Sequence, residues 1–247
     1  MNQHPRIIAH RGYTERYPEN TLAALKAAID AGADAVELDV QLCRDGTPVV
    51  FHDATLDRVS GEPGVVLELG FDELQAFSVH EPERLGEAFK GTRIPSLASA
   101  VQLLAESDTG ALVFVEIKRD TVPYHTIPQA VETILDICEP LGERAVIISF
   151  DADVVQEARS LGEIRVGWVL SDWTMASQDR LETLQPDFAF VDIDVVPPIP
   201  APLWEGPWEW VVYEINDWSQ AANLARHGFK WIETQAVEAL VRGKQER

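Results

Sequence analysis

Eight short, aliphatic-rich runs recur along the chain, at 6–10, 35–40, 112–118, 145–150, 166–170, 188–192, 210–215 and 230–234. Amphipathic or alanine-rich stretches separate most of them, at 21–31, 97–105, 127–141, 153–161, 179–184 and 219–226, and another follows the last run at 236–241. Parallel strands cannot be joined by a tight turn, so strands alternating with helices imply parallel pairing through crossover units. Eight such units in 247 residues predict an α/β chain closed into a single (β/α)8 barrel over 1–247, rather than an open doubly wound sheet. The alternation breaks twice. The stretch 41–94 is too long for one loop, and 195–208 carries prolines at 197, 198, 200, 202 and 207 where a helix is expected. Proline removes a backbone donor and fixes φ, so that connection is predicted to run without a regular helix. Trp204 and Trp208 on it either wall a substrate pocket or cover the barrel where the helix is missing.

The first break begins with a hairpin signal. Asp45-Gly46 suits a two-residue turn whose central positions both need positive φ. With those two residues as the loop, Gln41 faces Val50 and Asp39 faces His52, which sets a histidine across from an acid at the end of the second run.

Residues two apart on a strand share a face. Glu37 and Asp39 therefore point together, as do Glu116 and Lys118, and both pairs interrupt apolar runs. An acid inside a buried strand is costly unless it is paired or binds a cation. Ion pairs of Glu116 with Lys118, or of Glu37 with Arg11, satisfy some of these groups and leave an excess of negative charge at one end of the sheet. A bound cation accounts for the excess. Three carboxylates with no cysteine cluster describe a hard-cation site for Mg²⁺, Ca²⁺ or Mn²⁺, and suit Zn²⁺ poorly. His10 and His52 flank the three acids, as a general acid and a general base require, because imidazole titrates near working pH. Arg11 offers a guanidinium fork to a phosphate, or else a salt bridge to Glu37 or Glu19. His10, Asp39 and Lys118 all end their strands, where barrel active sites lie. His4, His80, His125 and His227 read as structural or solvated.

Composition narrows the partners. Twenty Lys and Arg stand against 41 Asp and Glu, a net charge of −21, so the basic footprint of a nucleic-acid binder is missing. No run is long enough to span a bilayer. Residues 1–6 show no apolar stretch of signal-peptide length, and Cys43 and Cys138 read as reduced thiols, so a cytoplasmic enzyme with a small-molecule substrate is expected. Glycine-rich nucleotide loops are absent.

The ordered blocks Ile7-Ile8-Ala9-His10-Arg11-Gly12, Pro18-Glu19-Asn20-Thr21, 32–40, 45–53, Thr55-Leu56-Asp57-Arg58, Ile94-Pro95-Ser96-Leu97, Val115-Glu116-Ile117-Lys118 and Ser149-Phe150 resemble those of the glycerophosphodiester phosphodiesterases. The resemblance implies a TIM-type barrel with a small insertion at about 54–93 and a divalent metal, Mg²⁺ or Ca²⁺ with Mn²⁺ as a third option, on Glu37, Asp39 and Glu116. It also implies His10 and His52 as the acid/base pair, and Arg11 and Lys118 on the phosphate. The implied reaction is attack of the glycerol hydroxyl on phosphorus, release of the alcohol, and opening of a cyclic phosphate by water to glycerol 3-phosphate. Phospholipase D-like hydrolysis of lysophospholipids is the nearer alternative, and a non-catalytic binding barrel the alternative from another class. The last third departs from the family pattern. Tyr213-Glu214-Ile215-Asn216 stands for Trp-Thr-Val-Asn, and Thr234-Gln235-Ala236-Val237 for a final Thr-Asp followed by Pro. Cys43 replaces a common Thr. None of these departures is expected to touch the acid/base or metal set, and Glu214 is read either as a further cation ligand or as a competitor for the cation.

Overall fold

The computed structural model describes residues 4–118, 127–199 and 201–246. The eight apolar runs are strands: β1 (Arg6–Ala9), β2 (Ala35–Leu42), β4 (Leu112–Ile117), β5 (Ala145–Ser149), β6 (Arg165–Leu170), β7 (Phe188–Asp192), β8 (Glu209–Tyr213) and β9 (Phe229–Thr234). Each pairs in parallel with the next, and β1 pairs with both β9 and β2, so the sheet closes into an eight-stranded barrel. A short antiparallel strand, β3 (Pro48–Val50), hangs from the end of β2.

Helices α1 (Leu22–Asp30), α5 (Leu97–Ala105), α6 (Ile127–Cys138), α7 (Ala152–Leu161), α8 (Met175–Leu184), α9 (Trp218–Arg226) and α10 (Val237–Gln245) wrap the barrel. Several start where the sequence offers an oxygen to a free backbone N–H: Thr21, Ser96, Asp151, Thr174 and Asp217 each accept from an amide of the first turn. Strand alternation sorts the core into two layers. Outward residues such as Ile7, Val36, Leu38, Val113 and Val115 pack under the helices. Inward residues Ile8, Ala35, Phe114, Val146, Ile148, Val169, Phe188, Phe190, Val211 and Trp231 fill the barrel. Phe114 meets Phe188, Phe190 and Trp231 edge-on at centroid distances of 5.0, 5.2 and 5.9 Å, the arrangement the ring quadrupoles favour. Gly167 makes room for this cluster, since a Cβ there would lie 2.9 Å from Ile148.

One expectation changes, and one open alternative closes. The hairpin pairs Val40 with Val50 and Gln41 with Val49, one residue away from the expected register. The loop is three residues long: the Gly46 N–H donates to the Cys43 carbonyl, the Cys43 N–H donates to Thr47, and Gly46 alone takes positive φ, at 85°. A turn followed by one left-handed residue inserts a bulge, which two-residue counting misses. Asp39 thus lies opposite Phe51, whose N–H donates to its carbonyl, and not opposite His52.

Among its described residues the connection 195–208 contains no helix, as expected, and its tryptophans do not line the cavity described below. Trp204 stacks on Trp173 at 4.0 Å, and Trp208 lies edge-on to Trp210 at 6.3 Å, both within the layer outside the barrel. They fill the volume of the missing helix.

Residues 54–93 form short helices α2 (Asp57–Ser60), α3 (Phe71–Leu74) and α4 (Pro82–Leu85), and Leu56, Val59, Val66, Leu74 and Val79 of this stretch share a small core with Cys43, Val49, Phe51 and Ile94. This segment grips the β1–α1 connection: Glu81 accepts from the Glu19 N–H at 2.6 Å, and Arg84 donates to the Tyr17 carbonyl at 2.8 Å.

Candidate active site

A cavity of about 460 Å³ sits at the C-terminal mouth of the barrel, on a floor of Ile148, Val169 and Phe190. Its polar wall comes from the ends of β1, β2, β4, β7, β8 and β9, with His52 contributed from beyond β3. Six of the seven residues singled out in the sequence line it: His10, Arg11, Glu37, His52, Glu116 and Lys118. The seventh, Asp39, is 1% exposed and lies behind Arg11 and Lys118, as the ion pairs below show.

Inward alternation on β2 and β4 brings the acids together. Glu37, Asp39 and Glu116 each place a carboxylate oxygen within 4.8 Å of the other two. Glu37 is 2% exposed, its Oε2 accepts from the Arg11 backbone N–H at 2.9 Å, and its Oε1 is buried without a hydrogen-bond partner. Burial, then the charges of Asp39, Glu233 and Glu116, push the Glu37 carboxyl well above the usual range. Burial and Asp39 also raise Glu116, although Lys118 opposes them from 2.8 Å. Asp39 goes the other way. Its burial disfavours charge, but Arg11 at 3.1 Å, Lys118 at 3.3 Å and the Asn20 amide at 2.8 Å overcome that and hold it well below the carboxylate range.

A buried oxygen with no donor, inside a trio of acids too close to ionise together, fits a bound divalent cation. The all-oxygen donor set matches the hard-cation expectation. Arg11 spans both readings offered by the sequence, because it faces the cavity while donating to Glu19 at 3.1 Å and lying beside Asp39.

Both histidines are held through Nδ1 by a carboxylate. His52 Nδ1 lies 2.6 Å from Asp53 Oδ1, and Arg58 clamps Asp53 at 2.7 Å and Glu19 at 2.7 Å. His10 Nδ1 lies 2.7 Å from Glu214 Oε1. Burial lowers the His10 pKa, but Glu233 and Glu214 outweigh it and leave it raised. A carboxylate accepts only, so in both rings Nδ1 carries a proton and Nε2 is left to exchange one.

Glu214 overturns the expectation that the departures in the last third avoid the acid/base set, because it follows β8 and its Oε1 lies 2.7 Å from His10 Nδ1. The histidines read as structural or solvated stay out of the site: His4, His80 and His227 do not line the cavity, and His125 lies outside the described residues. Sequence reasoning also missed Asn20, Asp53, Arg58 and Glu233. Glu233 is 3% exposed, lines the cavity, and its Oε1 too is buried without a partner. Burial, with Glu116 and Glu214 nearby, pushes its pKa up to about 7. Its signal was present in Lys230-Trp231-Ile232-Glu233-Thr234: an acid on the inward face of an apolar run, the pattern that marked Glu37. Asn20 and Asp53 sit on connections and Arg58 on the single turn of α2, segments whose paths no periodicity reveals.

Residues 10–238 match the glycerophosphoryl diester phosphodiesterase family. The glycerophosphodiester phosphodiesterase of Caldanaerobacter subterraneus is 34% identical over 188 residues, 73% of this chain and 74% of that enzyme. Human glycerophosphodiester phosphodiesterase 1 is 30% identical over 195 residues, 76% of this chain and 57% of that protein, so the chain aligns with little more than half of the human relative. Among solved structures, an Oleispira antarctica phosphodiesterase in complex with the product sn-glycerol-3-phosphate superposes with a TM-score of 0.85 at 25% identity, covering 98% of this chain and 97% of that one. The Thermotoga maritima glycerophosphodiester phosphodiesterase has the same fold, with a TM-score of 0.72 at 23% identity over 97% of this chain and 98% of its own.

Proposed function

The chain belongs to the glycerophosphoryl diester phosphodiesterase family and is an enzyme of it, and from that premise we propose a cation-dependent, two-histidine hydrolysis of glycerophosphodiesters to glycerol 3-phosphate and an alcohol. The observation that carries this reading is the convergence of Glu37, Asp39 and Glu116 with His10 and His52 on one cavity at the barrel mouth. The product named for the Oleispira relative, sn-glycerol-3-phosphate, is the product this reading assigns here.

Glu37, Asp39 and Glu116 would hold the cation, with Mg²⁺ or Ca²⁺ preferred and Mn²⁺ also suited to oxygen ligands. When bound it supplies positive charge to the phosphate and to the glycerol oxygens. Arg11 and Lys118 face the same cavity and add two fixed positive charges for the phosphate. One histidine takes the proton of the glycerol hydroxyl as that oxygen attacks phosphorus, and the other gives a proton to the departing alcohol. The cyclic phosphate left behind is opened by water as the two rings exchange protons in the reverse sense. Each ring is fixed through Nδ1, so the proton moves at Nε2 in both.

The same reading takes 1–247 as one catalytic barrel unit with 54–93 as its insertion. A cytoplasmic setting is supported by two buried, unpaired thiols, Cys43 and Cys138. Among the described residues no helix is long and apolar enough to cross a membrane.

The experiment is product identification by phosphorus NMR after incubation with glycerophosphocholine, glycerophosphoethanolamine, glycerophosphoglycerol and lysophosphatidylcholine. The proposal expects glycerol 3-phosphate from the first three. Cleavage of lysophosphatidylcholine alone, to lysophosphatidic acid, would replace this reading with the phospholipase D-like one.

A further inference from the structure

Two of the positions at which the chain departs from its family pattern, Glu214 and Gln235, lie at the ends of adjacent strands and meet in space. Glu214 follows β8 and Gln235 follows β9. Gln235 Nε2 donates to Glu214 Oε2 at 2.5 Å, and Glu214 Oε1 lies 2.7 Å from His10 Nδ1. The backbone is pinned on both sides of this chain of contacts. The His10 N–H donates to the Thr234 carbonyl at 3.0 Å, and the Ile215 N–H to the Glu233 carbonyl at 3.0 Å. Asn216 Oδ1 accepts from the Thr234 hydroxyl at 2.8 Å and from the Gln235 N–H at 3.0 Å.

We propose that Glu214, held by Gln235, is the positioning residue of His10: it fixes the ring through Nδ1 and so presents Nε2 to the cavity. The proposal rests on the acid/base reading of His10 given above. It differs from the expectation that Glu214 competes for a cation, and the geometry separates the two. Each Glu214 oxygen has a protein partner, one on His10 and one on Gln235. Glu37 and Glu233, by contrast, each keep a buried oxygen with no partner. A carboxylate tied to a protein donor through each oxygen is fixed in place and orients the ring it touches. An unheld imidazole can rotate about its Cβ–Cγ bond and exchange the nitrogen it offers, and that loss falls on the chemical step more than on binding.

The test compares Glu214→Ala, Glu214→Gln, His10→Ala and the double variant His10→Ala/Glu214→Ala in the full chain with saturating divalent cation. Supporting partners of a functional histidine are typically worth about 10–100-fold. Glu214→Ala is expected to lower kcat by about that factor, with KM changed less than about twofold. Glu214→Gln is expected to recover most of the loss, because an amide oxygen accepts the same Nδ1–H while Gln235 turns its own amide to match. The double variant is expected to lose no more than His10→Ala alone, as groups acting as a unit do.

A second readout needs no turnover. In ¹⁵N-histidine NMR spectra the His10 ring should show a protonated Nδ1 in the parent and in Glu214→Gln, and lose that signature in Glu214→Ala. Unchanged kcat and an unchanged ring spectrum in a folded Glu214→Ala would overturn the proposal, and so would a rise in KM at constant kcat. Parent-level kcat in His10→Ala would instead strike the acid/base reading itself. An inactive His10→Ala beside a fully active Glu214→Ala would strike only the positioning role.

Discussion

Glu37 and Asp39 are separated by one residue on the same strand, yet their carboxyls are driven in opposite directions. Asp39 is surrounded by Arg11, Lys118 and the Asn20 amide, whereas Glu37 faces other acids and keeps an oxygen with no donor. The strand pattern put both acids on one face, and only the folded neighbours tell them apart. If a cation is what Glu37 lacks, Glu37→Gln should weaken cation binding, measured by calorimetry, and abolish turnover at ordinary metal levels. Full activity of that variant in EDTA would remove Glu37 from the metal set. A positioned acid or base is worth about 10²–10⁴-fold, so His10→Ala and His52→Ala should each cost at least the lower figure in kcat. Their double variant should be little worse than the more damaged single one. Arg11 reaches Glu19 through Nη1 and Asp39 through Nε, a span that one ammonium cannot reproduce. Arg11→Lys should therefore lower kcat/KM about tenfold or more, the scale of one lost charge-assisted hydrogen bond. An unchanged kcat/KM would reduce Arg11 to a brace.

The strands were legible as elements because inward and outward residues alternate against two different environments, and period-2 patterning survives any detail of packing. What failed to read was the connections. The 43–47 loop holds one residue more than its Asp45-Gly46 signal suggests, and the register of β3 follows from that one residue. His52 reaches the cavity because the chain leaves the sheet after Val50, which no strand pattern encodes. The β8 and β9 ends hid Glu214 and Gln235 for a related reason: their contact joins residues 21 apart in sequence through the pairing of two strands. Trp204 and Trp208 took the packing option, so Trp204→Ala or Trp208→Ala should lower the melting temperature by the equivalent of about 3–5 kcal/mol at most while leaving KM for glycerophosphocholine and glycerophosphoglycerol unchanged. A selective rise in KM for the choline substrate would restore them to the pocket. The β1–α1 connection offers a sharper test of backbone geometry. Gly12 sits at φ 85°, and a Cβ there would lie 2.6 Å from the Ala24 carbonyl carbon. Gly12→Ala should destabilise the chain by about 1–3 kcal/mol, the usual scale of such strain, and should disturb Arg11 beside it.

At the scale of the whole molecule, a chain of net charge −21 gathers Arg11 and Lys118 beside the acids proposed to hold a cation at one end of the barrel, the local arrangement of charge that the proposed reaction on an anionic diester requires. The same arrangement ties stability to pH. In the metal-free protein Glu233 is pushed up to about 7 from a usual 4.5, and Glu37 and Glu116 are raised as well. Across that interval the folded state binds more protons than the unfolded chain, so stability is lost as pH rises. The raised His10 pKa acts in the same direction. Asp39, lowered from 3.8, acts oppositely but only below that value. The melting temperature of EDTA-treated protein should therefore fall between pH 4.5 and about 7, and Glu233→Gln should flatten the fall. A rise over that range would mean that the buried acids are not short of positive charge. Glu37, Asp39 and Glu116 are proposed to hold a cation on which His10 and His52 depend to cleave a glycerophosphodiester. The most direct measurement is the rate of glycerol 3-phosphate release from glycerophosphocholine by EDTA-treated protein, before and after Mg²⁺, Ca²⁺ or Mn²⁺ is restored. No release is expected in EDTA, with recovery on addition of at least one of these ions. Undiminished release in EDTA would contradict the proposal.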